Sequence, residues 1–262
     1  MEATTTRQIA HPDARGRGID HLAFAASFVA GYFGSMLGLV LGTLRLPFVI
    51  VATGNPLAAA GTNIAISAAA AGAGGLRHAR DGRVDWRVVA WTAPPSVVGA
   101  VAGALIATDV SEALLFGLIA AVLVWSGIDL ALRPIAARPR DHLRVGRGGG
   151  LAFLIGVLGG AVGVILGTLR MPALVRSVGL DVRRAAGTNL VVGFFLGVAG
   201  FATHAAGEGV DWDVLAAGLA GALPGGWLGA RATGRIDENT LRLALGLTLV
   251  VVGAVFAVEA VV

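Results

Sequence analysis

"LGTLRLP", Leu41 to Pro47, lies in one of the most apolar parts of the chain, which spells it almost unchanged a second time as "LGTLRMP", Leu166 to Pro172. An arginine in such surroundings is costly unless it faces a cavity or a partner. A proline two residues later cannot donate a backbone hydrogen bond and restricts the residue before it, so helix is expected to be interrupted or to end nearby. Other matches follow in the same order. Gly34, Gly38 and Gly42 correspond to Gly159, Gly163 and Gly167; Ala60-Gly61-Thr62-Asn63 corresponds to Ala186-Gly187-Thr188-Asn189; Val84-Asp85-Trp86 corresponds to Val210-Asp211-Trp212. The chain reads as an internal duplication.

Composition sets the solvent. With 56% hydrophobic and 14% charged residues and a mean hydropathy of +0.80, the chain is too apolar for a soluble domain. Runs such as Val88 to Thr108, Ala113 to Leu132, Leu151 to Leu169 and Val214 to Ala230 approach or reach the ~20 residues that span a bilayer as helix. The basic residues are all arginine and sit mainly in short loops between apolar runs, the pattern of a topology signal and not of nucleic-acid binding. Without cysteine, disulfides and thiol chemistry are excluded. Residues 1–20 read as a flexible polar tail, 21–132 as a first membrane repeat, 133–148 as an arginine-rich cytoplasmic linker and 149–262 as a second membrane repeat.

Loop charge distinguishes the two ways a membrane repeat can be built, because cytoplasmic loops gather arginine. The loop 77–87 carries Arg77, Arg80, Arg83 and Arg87, whereas its equivalent 207–213 has Glu208, Asp211 and Asp213 and no arginine. Thr53 to Ala60 is uncharged, but its equivalent holds Arg176, Arg183 and Arg184. Equivalent loops are therefore expected on opposite sides. An inverted repeat needs an odd number of crossings per half, so one apolar segment must turn back, and the glycine-interrupted first one is the natural candidate. The expected fold is an all-α integral membrane protein of two inverted repeats, each with a re-entrant or broken first segment plus about three transmembrane helices.

Arg45 and Arg170 would then approach a common centre from opposite faces. A permanently charged planar fork suits an oxyanion held bidentately, such as sulfite, a sulfonate or a carboxylate; snorkelling to an interface or pairing with a carboxylate is the alternative for the same arginines. Thr43 and Thr168 flank them in the repeated motif. Thr62-Asn63 and Thr188-Asn189 precede apolar runs and read as helix N-caps, which could also offer N–H groups and side-chain hydrogen bonds to an anion. Gly38, Gly42, Pro47, Gly163, Gly167 and Pro172 are the candidate helix breaks, with the glycines spaced to line one helix face. His21, His78, His142 and His204 all fall near predicted segment ends and are weak candidates for proton coupling. Trp86 and Trp212 read as interfacial anchors. Catalytic or nucleotide-binding signatures are absent from the sequence, so neither an enzyme nor a cofactor is expected.

The chain resembles the TauE/SafE family of sulfite exporters, also called the toluene-sulfonate uptake permease group. The residues that carry the resemblance are Gly38 to Pro47 with Gly61-Thr62-Asn63, and Gly163 to Pro172 with Gly187-Thr188-Asn189. Where many members have three consecutive glycines, this chain has Val40-Leu41-Gly42 and Ile165-Leu166-Gly167, a less open backbone. The resemblance implies transport of small sulfur-containing or organic anions across the cytoplasmic membrane, commonly export. With no nucleotide-binding element, the first expectation is a secondary transporter in the bacterial cell membrane that uses an ion gradient, of protons or sodium. An anion channel and a membrane-embedded anion-binding accessory protein are the alternatives. The sequence leaves substrate, direction and oligomeric state open.

Overall fold

Asn55 and Pro56 start one of the two helices that form the central pair of the bundle. The Asn55 side chain accepts hydrogen bonds from the Leu57 and Ala58 N–H groups at 2.8 and 3.2 Å, and Pro56 supplies a preset φ where no N–H is needed. The computed structural model describes residues 12–107, 111–132, 146–162, 164–206 and 209–233, with isolated helical positions between 240 and 258. The linker expected at 133–148 lies outside them up to residue 145, as do residues 1–11 and Gly163.

Among the described residues all regular structure is helical. The elements are α1 (Pro12–Leu37), α2 (Gly42–Thr53), α3 (Pro56–Arg80), α4 (Trp86–Ala107), α5 (Glu112–Leu132), α6 (Gly146–Val162), α7 (Gly167–Pro172) running into a π-helical turn (Ala173–Val178), α8 (Val182–Ala206) and α9 (Trp212–Arg231). The chain is an all-α membrane protein: Leu57–Arg80, Trp86–Ile106 and Val182–Ala206 are long and apolar enough to cross a bilayer. α1 starts at Pro12, within the stretch expected to be a tail.

The duplication is visible in the packing. Backbone contacts pair α1 with α9 through Phe24–Gly221, Phe28–Gly225 and Tyr32–Gly229, and α6 with α4 through Phe153–Gly99 and Val157–Gly103. Phe28–Gly225 and Phe153–Gly99 are repeat equivalents, so each half's first helix docks against the other half's later one. At the centre α3 and α8, themselves equivalent, pack in opposite chain directions: Ile64 meets Gly200, Ala68 meets Gly197, Gly72 meets Phe194 and Gly75 meets Val191. Lipid tails are as apolar as these side chains, so close backbone approach at small residues, with its dispersion and Cα–H···O contacts, holds the bundle.

Two sequence expectations are corrected here. Gly34, Gly38 and Gly42 do not line one helix face, because the chain reverses between them. Gly34 is in α1, Gly38 sits in the turn with φ 70°, and Gly42 opens α2. The turn is closed by the Leu39 N–H on the Gly34 carbonyl at 2.7 Å, and its equivalent by the Val164 N–H on the Gly159 carbonyl at 2.8 Å. A Cβ at Gly38 would overlap Ala186 of α8, which adds a packing reason for glycine to the conformational one. The prolines do not make the break either. Helix α2 runs through Pro47 to a left-handed Gly54 cap, and Pro172 closes α7 where the π-helical turn begins. Each interruption lies before its Arg-x-Pro element, at residues 38–41 and again around 164–166.

Since α2 runs opposite to α3, with Gly42 beside Ser67 and Arg45 beside Asn63, α1 and α2 form a helical hairpin whose tip lies halfway along α3. Gly103 tests the packing. A side chain there would collide with the Val157 backbone, while Gly117 on α5 faces open space. Gly103→Val is expected to lower stability by about 1–3 kcal/mol, and Gly117→Val to leave it unchanged, in thermal unfolding of the detergent-solubilised protein.

Candidate functional site

The two hairpin tips meet. Val40 and Ile165 share one apolar cluster with Ile64, Leu190 and Leu196, and a Cβ on Gly167 would come within 2.9 Å of the Val40 nitrogen. Val40 and Ile165 therefore form an apolar contact between the two tips.

Arg45 and Arg170 sit just past the tips, each 2% exposed. Arg45 donates from Nε to the Asn63 Oδ1 at 3.1 Å, and from Nη2 to the Asn63 carbonyl at 3.0 Å and the Ser67 hydroxyl at 2.7 Å. Arg170 donates from Nη1 to the Asn189 Oδ1 at 3.2 Å and its carbonyl at 3.4 Å. Asn189 in turn donates from Nδ2 to the Gly38 carbonyl at 2.7 Å and the Gly167 carbonyl at 3.0 Å, joining both tips to α8. Neither arginine has a carboxylate among its described partners. The ion pairs found among the described residues, Arg77–Asp81 at 3.1 Å and Arg83–Asp81 at 3.6 Å, belong to the α3–α4 loop. Two guanidinium groups are thus buried against neutral acceptors, with no opposite charge among their described partners.

The surroundings of the two arginines differ at the position of Ser67. Ser67, which satisfies Arg45, is replaced by its equivalent Gly193 beside Arg170 Nη1. Arg170 presents Nη1 to Asn189 where Arg45 presents Nε and Nη2 to Asn63, and Arg170 Nε and Nη2 have no hydrogen-bond partner; neither does the buried Thr43 hydroxyl. The cavity beside Arg45, lined by Ser35, Leu41, Gly42, Ser67 and Leu190, measures about 10 Å³, room for about one water. The site is closed around its charges.

The threonines expected beside the arginines do something else. Thr62 and Thr188 lie inside α3 and α8, not at their N-termini, so the N-cap reading is corrected: Asn55 caps α3, and the Asp181 carboxylate accepts from the Arg184 N–H at the start of α8. The Thr62 hydroxyl accepts from the Asp211 N–H at 2.8 Å, and the Thr188 hydroxyl from the Asp85 N–H at 3.0 Å. These are repeat-equivalent clasps in which each half holds the start of the other half's next helix. The side chain of Thr168 lies outside the described residues. Sequence reasoning missed Ser67, because a serine within an alanine-rich helix carries no signal until Arg45 is brought against it.

The family model for the sulfite exporter TauE/SafE matches residues 23–256. The chain belongs to the TauE/SafE family. A probable membrane transporter protein of Xylella fastidiosa is 30% identical over 82% of this chain and 85% of its own length. The probable membrane transporter protein YdhB of Bacillus subtilis is 26% identical over 88% of this chain and 95% of its own length. No solved structure matches significantly. Family membership makes the chain a membrane transporter, and the Arg-bearing hairpins are where this TauE/SafE chain concentrates buried charge.

Asn189 holds this arrangement most directly, since it contacts a buried guanidinium and two tip carbonyls. Asn189→Ala is expected to cost about 1.5–3 kcal/mol or more, seen as a lower unfolding temperature in detergent, whereas exposed Asn55→Ala should cost about 1 kcal/mol.

Proposed function

We propose that the protein is a secondary transporter, an exporter, that carries a small oxyanion such as sulfite or an organosulfonate across the bacterial cytoplasmic membrane. Arg45 and Arg170 hold the anion between two inverted repeats. The observation that carries this reading is the pair of equivalent, fully buried arginines with only neutral described partners, set where two broken segments meet. An anion would satisfy Arg170 Nε and Nη2, the groups without partners, through a planar fork. The opposed directions of α3 and α8 support inversion, since two equivalent spanning helices that run antiparallel are related by an axis in the membrane plane. Rocking of one half against the other would open the centre to each side in turn, with flux coupled to a proton or sodium gradient. The room for about one water beside Arg45 fits an alternating mechanism better than a continuously open channel.

Flux into proteoliposomes tests the site. Arg45→Gln and Arg170→Gln are each expected to cut sulfite flux at least about 30-fold, the effect of removing roughly 2 kcal/mol of charge-assisted binding, while remaining inserted. Normal flux of sulfite, thiosulfate, sulfoacetate and simple carboxylates in both variants overturns the assignment. Because the chain has no cysteine, single cysteines at the exposed positions Arg80 and Asp213 give the topology. Impermeant maleimide should label them from opposite sides of the membrane, and labelling of both from one side sinks the inverted arrangement.

A further inference from the structure

Two buried imidazoles lie outside the arginine centre and repeat each other. His78, near the end of α3, is fully buried, and its Nε2 donates to the Ser35 carbonyl of α1 at 3.1 Å. His204, at the equivalent place near the end of α8, is 6% exposed and bonded to the Gly160 carbonyl of α6. Ser35 and Gly160 are themselves equivalents. Each ring keeps one nitrogen without any partner, Nδ1 in His78 and Nε2 in His204. The glycine that opens the way for each is duplicated too. Gly187 of α8 packs on His78 and the Arg83 carbonyl, and Gly61 of α3 packs on His204 and the Gly209 carbonyl. Because α3 and α8 run in opposite directions, the two rings close opposite ends of the central pair.

We propose that His78 and His204 are protonation-sensitive latches, each holding one end of the transporter shut while its ring is neutral. This rests on the alternating-access reading given above. A carbonyl partner fixes which nitrogen carries the hydrogen, so a proton from water must go to the other nitrogen. There it becomes a buried N–H with no acceptor, and the closed end can hold it only at a desolvation cost. An opened end hydrates it. Proton binding and closure at the same end therefore oppose each other. The arm being released leads to the anion: Ser35 is three residues before Gly38, whose carbonyl accepts from Asn189, which in turn holds Arg170. The charged groups acting on His78 are Arg83, Asp81 and Arg77, all from the α3–α4 side, and α1 and α8 meet it with an uncharged carbonyl and a glycine. At His204 the groups on α6 and α3 are likewise a carbonyl and a glycine. The nearby loop brings Asp211, whose carboxylate is engaged in capping α9.

The test uses the full chain in lipid nanodiscs with a cysteine at buried Ala185, beside the His78 end, or at its equivalent Ala59, beside the His204 end. Thiol labelling rates are normalised at each pH to an exposed cysteine at Arg80. Between about pH 8 and about pH 5.5, a window that spans ordinary imidazoles and lies above ordinary carboxylates, each buried cysteine should become about tenfold more reactive. His78→Gln keeps a donor at the Nε2 position and His204→Asn keeps one at the Nδ1 position, but neither can accept the proton. Each should abolish the pH response at its own end, at the low rate, and leave the other end responsive. A native protein whose labelling is independent of pH, a response that survives the local variant, or a variant labelled fast at every pH overturns the latch. Imidazole NMR of the native protein follows the same protons directly, and rings that keep one protonation state throughout that window also overturn it. Absence of sulfite flux from proteoliposomes in which the latches still titrate would reject the transport reading alone.

Discussion

A guanidinium taken out of water must find acceptors for its donors, and in this fold that requirement falls on two asparagines in the middle of apolar helices. Asn63 and Asn189 accept from Arg45 and Arg170, and Asn189 also donates to carbonyls that the broken hairpins leave free. The turn at a hairpin tip leaves backbone groups that no helix satisfies, and irregular backbone in apolar surroundings survives only where protein covers it. The Arg–Asn pairs answer both needs with neutral partners. A carboxylate in place of either asparagine would cancel the charge, so the neutral partner is what leaves each buried guanidinium with its positive charge uncompensated.

The remainder of the structure brings those pairs together from two halves. α3 and α8 carry the asparagines, and their glycine and alanine contacts set how closely the helices cross. The Thr62 and Thr188 clasps tie each central helix to the loop that begins the other half's next helix. Small residues dominate these seams because lipid offers no hydrophobic gain for association, which leaves approach distance as the main variable under the control of sequence.

Much of the fold was legible in the sequence. Order and spacing revealed the duplication, and composition revealed the membrane. The cost of an arginine within an apolar run pointed to a cavity or a partner, with an interfacial position or a carboxylate pair as the alternative, and the structure buries both against asparagines. Local propensity misled in identifiable ways. The glycine series looked like a helix face because four-residue spacing is helical, yet Leu39 to Leu41 turn the chain between those glycines. Thr62 and Asn63 looked like caps because they precede an apolar run, whereas the cap is Asn55, ahead of Pro56, and the helix already includes both residues. Partners such as Ser67 and the histidine–carbonyl bonds depend on tertiary contacts between residues 22 to 44 positions apart, and no local pattern announces them.

Duplicated sites diverge where one copy can be relaxed. At the first centre Ser67 completes the coordination of Arg45, while at the second the equivalent Gly193 touches Val40 and Ile165 at the junction of the tips, where a larger side chain would push them apart. The glycine thus does two things at once: it lets the hairpins meet and it withholds a hydroxyl from Arg170. The α-helix after Arg170 also gives way to a π-helical turn, whereas the helix after Arg45 continues regularly through Pro47. A backbone out of regular register next to an under-coordinated guanidinium is easier to move and gains more from a new ligand than its well-satisfied counterpart. The asymmetry leaves Arg45 held by both Asn63 and Ser67, and Arg170 held by Asn189 with its Nε and Nη2 without a partner.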